Sequence, residues 1–176
     1  MSIRKKNSTK GIETISGSYP TEIIYQVYPA SFMDSNDDGT GDLEGIASRI
    51  EYIKKLGVDA IWISPFFLSP EGQDGDGGYA VSNYREIDPR FGNMADFDNL
   101  LSKAHNLGLK IYTDFVLPHT SSHHEWFKKS ESREHGFEDF YIWHSGKIDK
   151  KYDDNKPGPP NNWLSIFGGS AWEWHE

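Results

Sequence analysis

The 176-residue chain contains no cysteine. That excludes disulfide bonds, thiolate catalysis and cysteine-ligated zinc, and it suits a reducing, cytoplasmic setting. Long apolar runs are missing too. No window has the length and apolarity of a membrane span. The basic start at Arg4, Lys5 and Lys6 has no apolar stretch behind it to make a signal peptide. Basic residues are the minority, 18 Lys and Arg against 27 Asp and Glu, for a formal net charge of −9. Nucleic-acid binding relies on clustered Lys and Arg to neutralise phosphates, so this balance argues against such a partner. There is no fixed-period repeat and no long low-complexity tract. The expectation is a soluble cytoplasmic protein with neither nucleic acid nor membrane as partner. What the chain does have is aromatic residues, 14% of the total, which serve a core or a surface that stacks on flat ligands.

Residues 1–20 are polar and unpatterned and read as a flexible leader. The β-branched and aromatic run from Ile23 to Tyr28, stopped by Pro29, reads as a buried strand. Leu43, Ile46, Ala47, Ile50, Ile53 and Leu56 fall at helical spacing, with Asp42 as N-cap and Gly57 as stop. Val58 to Ile63 reads as a second strand, ending at Ser64-Pro65. A loop rich in Gly, Asp and Pro fills residues 66–92. Phe97, Leu100, Leu101, Ala104 and Leu107 mark a second helix stopped by Gly108, and Leu109 to Val116 a third strand. The order β–α–β–α–β, with crossovers of this length, predicts parallel strands buried on both faces in an α/β fold. Residues 118–176 turn rich in His, Trp, Pro, Gly and Asn and lose their periodicity. They are expected to form a loop-built subdomain, with a short strand at Tyr141-Ile142-Trp143.

Three segments carry chemistry. Oxygen side chains alternate at Asp34, Asn36, Asp38 and Asp42, with Gly39 at the bend and Thr40 offering its carbonyl. Hard divalent cations want such a ring, so this is a candidate structural Ca²⁺ or Mg²⁺ loop. It is not a complete EF-hand, because Gly45 stands where that loop needs a bidentate Glu; the competing reading is an acidic turn that caps a helix. Asp114 and His119 fall at the C-terminal end of the third strand, the end at which parallel α/β folds bind ligands. They could bond ligand hydroxyls or simply fix a loop. Asp74-Gly75-Asp76-Gly77-Gly78-Tyr79 should lie on the same rim. A tyrosine ring can cover the apolar face of a sugar while a carboxylate accepts from its hydroxyls; a glycine-rich turn is the plainer reading. His119, His123 and His124 lack a placed third ligand and a His-Glu-x-x-His pattern, so zinc is not expected. Pro157-Gly158-Pro159-Pro160 reads as a rigid loop corner and not as an SH3 ligand.

The segments IYQVYPASFMDSNDDGTGDLEGI, LGVDAIWISPFFLSP, GGYAVSNYREIDPRFG, KIYTDFVLPHTSSHHEWF, FYIW and PPNNWLSIFGGSAWEW together resemble the α-amylase superfamily of glycoside hydrolases. Within it they are most similar to the oligo-1,6-glucosidase, α-glucosidase and sucrose-isomerase branch. The resemblance runs in family order from about residue 22 to the end. It implies a (β/α)8 TIM barrel, with residues 21–118 supplying its first three β/α units. Residues 119–176 would then begin the loop-rich domain inserted after strand three. It implies that Asp34, Asn36, Asp38, Thr40 and Asp42 hold a structural Ca²⁺, and that Asp76, Tyr79, His119 and Phe167 line the pocket for a terminal glucose. Tyr79 would stack on the sugar ring, His119 would bond a hydroxyl, and Asp114 would support the site without acting as nucleophile. Three positions depart from the family pattern. Pro118 stands where Asn is usual, which argues against a second calcium site between barrel and insert. Ala80 replaces a polar residue beside the pocket, and His175 replaces an Asp.

Such enzymes retain anomeric configuration using two carboxylates about 5–5.5 Å apart. In the family these follow strands four and five, with a third acid after strand seven, so no catalytic residue is expected among residues 1–176. The resemblance therefore implies the N-terminal portion of a retaining α-glucosidase acting on α-linked glucose at the non-reducing end of oligosaccharides or sucrose. The chain alone is expected to be inactive and marginally stable, with the remainder of its own barrel as partner, because an open three-stranded parallel sheet leaves two edges unpaired. A sucrose isomerase or other transglucosidase, or a non-catalytic sugar- or calcium-binding remnant, are the alternatives.

Overall fold

The computed structural model describes residues 22–147 and 157–175; the polar leader expected at residues 1–20 lies outside them. The chain divides into two compact units, Met1–His119 and Thr120–Glu176.

The first unit is built on three parallel strands, β1 (Ile24–Val27), β2 (Ala60–Ile63) and β5 (Lys110–Thr113), in the spatial order β1-β2-β5. Tyr25, Ile61 and Ile111 share one row of the register, and Val27, Ile63 and Thr113 share another. Alternate residues of a strand point to opposite faces, so Tyr25, Val27, Ile61, Ile63 and Ile111 present one face, which packs into the hydrophobic core. The helices α2 (Leu43–Ser48), α3 (Ile50–Lys55) and α4 (Met94–Asn106) contribute the other half of that core through Leu43, Ile46, Ile50, Ile53, Leu100 and Ala104. The opposite face of the sheet differs from the expectation. Ile24, Trp62 and Tyr112 on it are 49%, 38% and 41% exposed. The described helices of the first unit pack on the core side of the sheet, so burial on both sides is not reached.

The helix expected from Leu43 onward is broken in two at Arg49, whose φ/ψ of −105°/7° is not helical. The apolar face continues across the break as far as Ile53, but Leu56 is 47% exposed instead of buried. Asp42 caps α2 as the sequence predicts, its carboxylate accepting from the Gly45 N–H. Asn93 and Asp96 form a reciprocal capping box on α4. Gly57 and Gly108, with φ of 80° and 67°, adopt the left-handed conformation that ends a helix. Pro29 does more than stop β1: it opens the four-residue helix α1 (Pro29–Phe32).

The segment 66–92 is not all loop. It holds a small antiparallel pair, β3 (Phe67–Leu68) and β4 (Asn83–Ile87), with a kinked 3-10 turn at Gly72–Gly78 between them. Asp88 ends the pair, buried to 2% exposure, with its carboxylate held by both Arg90 Nε (2.8 Å) and Arg90 Nη2 (2.6 Å). Two charged residues in NYREI hide the strand pattern of β4 from a reading based on apolar runs.

Among its described residues the second unit contains one helix, α5 (Glu125–Glu131), which the irregular composition did not announce. Its N-cap is His124, whose Nδ1 accepts from the Trp126 N–H at 3.0 Å. No strand forms at Tyr141-Ile142-Trp143. Instead Tyr141 and Trp143 turn their rings onto Phe127, at centroid distances of 5.1 and 5.4 Å, while Ile142 is 81% exposed. Side-chain stacking decides the backbone there, and no strand among the described residues pairs with it. Gly158 of the proline corner pairs with Lys147 through two backbone hydrogen bonds.

Candidate functional site

The C-terminal ends of β2 and β5 carry the polar groups of the first unit. Beyond β5 the ladder continues by one bond, from the Asp114 N–H to the Ile63 carbonyl at 3.0 Å, and this aims the strand end at the loop after β2. There the Tyr79 hydroxyl donates to Asp114 Oδ2 at 3.2 Å. Partial burial raises the Tyr79 phenol above its ordinary range, and the nearby Asp114 charge adds to this. The Ser64 hydroxyl, at the end of β2, pulls the other way. Gln26 Nε2 donates in turn to Ser64 Oγ at 3.2 Å. Neither Gln26 nor Ser64 stands in a motif that announces a site; the pairing of β1 with β2 is what brings the two side chains together.

The His119 ring lies against the same loop, with Nε2 2.9 Å from the Tyr79 carbonyl. A carbonyl only accepts, so Nε2 carries the proton in this contact. A ligand hydroxyl would then meet the ring at Nδ1, or replace the carbonyl at Nε2. Asp76 precedes Tyr79 by three residues, is exposed, and has the left-handed φ/ψ of 44°/46°. A non-glycine residue held there marks a constrained loop. The constraint has visible sources: Tyr28 Oη donates to the Gly77 carbonyl at 3.2 Å, and the Gly78 carbonyl accepts from Ser69 Oγ at 3.2 Å. Gly78 has φ of 101°, and a Cβ on it would stand 2.8 Å from the Pro65 carbonyl, so the loop sits directly on the end of β2. The first unit thus gathers Asp76, Tyr79, Asp114 and His119. Phe167 belongs to the second unit, 83% exposed in a turn closed by the Leu164–Ser170 bridge.

Of the three departures, Pro118 and Ala80 flank this site in sequence, whereas His175 lies in the second unit. There its Nδ1 pairs with Glu131 and its ring packs edge-on to Phe127.

The acidic loop folds as a chain of side-chain turns. Asp34 accepts from the N–H groups of Asn36, Asp37 and Gly39, Asn36 from Asp38, and Asp38 from Thr40. These bonds, led by that from Gly39, hold the Asp34 carboxyl below its usual range. Asp37 and Gly39 take φ of 63° and 93°. Asp42 is buried and shared between Ser35 and the α2 cap. The donors are hard oxygens, as Ca²⁺ or Mg²⁺ requires. Among the described residues no three His, Asp or Glu side chains form a cation cage by themselves. An ion here would draw on the Asn36 amide and the Thr40 carbonyl as well as on carboxylates. No helix among the described residues is long and apolar enough to cross a membrane.

A polar rim at the C-terminal ends of parallel strands, with helices packed on the outer face, has the arrangement in which (β/α) barrels bind their ligands. The family described as "Alpha amylase, catalytic domain" matches residues 26–176, and the chain belongs to that family, its parallel sheet being part of the family's TIM barrel. It is 52% identical over 155 residues to a protein named Maltase 1 from Drosophila virilis, covering 88% of this chain and 24% of that one. It is 51% identical over 173 residues to an oligo-1,6-glucosidase of Saccharomyces cerevisiae, covering 93% and 28%. Among solved structures, an α-glucosyl transfer enzyme is similar with a TM-score of 0.77 and 54% identity, covering 87% of this chain and 27% of that one. A trehalulose synthase mutant in complex with sucrose has a TM-score of 0.77 and 44% identity, covering 86% and 26%. The chain spans about a quarter of the length of these relatives.

Proposed function

We propose that this chain is the N-terminal part of a retaining α-glucosidase that acts on α-linked glucose at the non-reducing end of oligosaccharides or sucrose. The observation that carries the reading is the joining of Tyr79, Asp114 and His119 in one hydrogen-bonded rim at the C-terminal ends of β2 and β5. In this reading Tyr79, its phenol tied to Asp114, offers its ring to the apolar face of the terminal glucose. Asp76 accepts from sugar hydroxyls and His119 bonds another. Asp114 fixes the Tyr79 phenol and is not the nucleophile. Neither carboxylate that breaks the glycosidic bond is assigned to residues 1–176. The contribution of this chain is to bind and orient the glucose so that those groups meet its anomeric carbon.

The hard-oxygen set of Asp34, Asn36, Asp38, Thr40 and Asp42 supports a structural Ca²⁺, or Mg²⁺, whose role is to neutralise and brace the loop ahead of α2. A raised unfolding midpoint on returning Ca²⁺ to chelator-treated protein is the expected result.

The enzyme reading is tested on the full-length protein by following sucrose, maltose and isomaltose with proton NMR. Release of α-glucose as the first product, with no action on a β-glucoside, is expected; failure to cleave any α-glucoside would overturn it. A sucrose isomerase or transglucosidase is the second reading, favoured by the likeness to a trehalulose synthase and a glucosyl transfer enzyme. It predicts a new disaccharide in place of free glucose in the same spectra.

A further inference from the structure

We infer that Tyr84 is a positioning residue for the sugar site, its phenol hydroxyl pinning the stretch of chain that carries His119. This rests on the reading of His119 as a sugar ligand. After β5 the chain from Phe115 to His119 has little packing of its own: Val116 is buried, but Phe115 and Leu117 are 53% and 72% exposed. Pro118 removes one backbone donor from the turn. Tyr84, on β4, supplies what the turn lacks. Its hydroxyl lies 2.6 Å from the Val116 carbonyl and 3.0 Å from the His119 carbonyl, so one phenol proton serves both sides of Leu117-Pro118. The Tyr84 ring is itself placed by edge-on contacts with Phe67 and Phe115, at 6.0 and 5.3 Å between centroids.

The consequence follows from where the bonds begin and end. The His119 ring is held by the carbonyl of Tyr79, and the His119 backbone by the hydroxyl of Tyr84. Residues 79–84 therefore fix His119 at two points, one on its ring and one on its main chain. Tyr79, the stacking ring, starts the same segment. Losing the Tyr84 hydroxyl leaves the imidazole with one tether and lets it drift relative to Tyr79, which weakens sugar binding without touching any reacting atom.

A double-mutant cycle in the full-length enzyme tests this. Tyr84→Phe keeps the ring and its contacts and removes only the hydroxyl. It is expected to lower kcat/KM for an α-glucoside about fivefold, mainly by raising KM, the loss of about one hydrogen bond. In a His119→Ala background the same change should cost nothing further, because there is no imidazole left to position. A loss of folded protein would instead act equally in both backgrounds. If Tyr84→Phe is silent in the parent, or costs the full fivefold in the His119→Ala enzyme, the positioning role is overturned while the sugar site stands. If His119→Ala itself leaves kcat/KM unchanged, the sugar-site reading fails and the inference fails with it.

Discussion

The two units hold themselves together by different means. Among the described residues every buried aliphatic or aromatic side chain other than proline, from Val27 to Val116, lies in the first unit. Its core is mainly aliphatic, with Phe66 and Phe91 the buried rings in it, and is layered between a parallel sheet and helices. The second unit joins half-exposed rings instead: Phe127 meets Tyr141 and Trp143, Trp126 meets Phe140, and Trp163 stacks on Trp172. Among its described residues the buried side chains are few: Ser121, His124, Ser130 and Pro160. Aliphatic layers give a rigid frame on which a rim can be placed to within a hydrogen bond. Stacked rings give a surface with exposed aromatic and apolar side chains, Trp163, Leu164, Ile166 and Phe167 among them.

The contrast can be broken most sharply at the backbone contacts of the first unit. A Cβ on Gly45 would stand 1.9 Å from the Met33 carbonyl oxygen, and one on Gly41 2.2 Å from that of Pro29. Neither backbone can yield cheaply, so Gly45→Ala should cost at least about 3 kcal/mol, seen as a large fall in the denaturant midpoint. A fully tolerated Gly45→Ala would mean that the acidic loop is not docked on α2. Next in size is the aliphatic core: Ile61→Ala, at a fully buried central-strand position, should cost about 3 kcal/mol. Trp163→Ala in the second unit should cost about 1 kcal/mol, the stacking and part of the burial of a ring already 62% exposed. Equal costs at the two sites would erase the distinction between the units.

A smaller effect is expected from acid. Burial pushes the Asp88 carboxyl up, but the Arg90 guanidinium outweighs it and holds the group below its usual range. A carboxylate lowered in the folded state stabilises the fold above its unfolded value, about pH 4. That contribution is lost as pH falls through the lowered folded-state value. Unfolding free energy should therefore decline on acidification below about pH 4, and Asp88→Asn should flatten the decline. An unchanged slope would remove Asp88 from the account.

How far the sequence could be read follows the same division. Asp42, Gly57 and Gly108 announce helix ends because capping and left-handed φ are local requirements, and Ile61 and Ile63 announce a core strand because they are apolar in a short bounded run. The β3–β4 pair was hidden because Arg85 and Glu86 face solvent on an edge, and α5 because EWFKKSE shows no clear apolar stripe. Within the site, Asp76, Tyr79, Asp114 and His119 were legible from their motifs. The bonds that orient them were not: the Tyr79 hydroxyl on Asp114 and the Tyr84 hydroxyl across Pro118 depend on which elements are neighbours, and that is a property of the fold.

The rim of the first unit is proposed to recognise a terminal α-linked glucose. The most direct test is kcat/KM of Asp76→Asn in the full-length enzyme with an α-glucoside. Asn keeps the size of the side chain and tolerates the left-handed φ of 44°, so the unfolding midpoint should stay within about 2 °C. Loss of the charged acceptor is predicted to lower kcat/KM by about tenfold or more. An Asp76→Asn enzyme with full kcat/KM would contradict the claim.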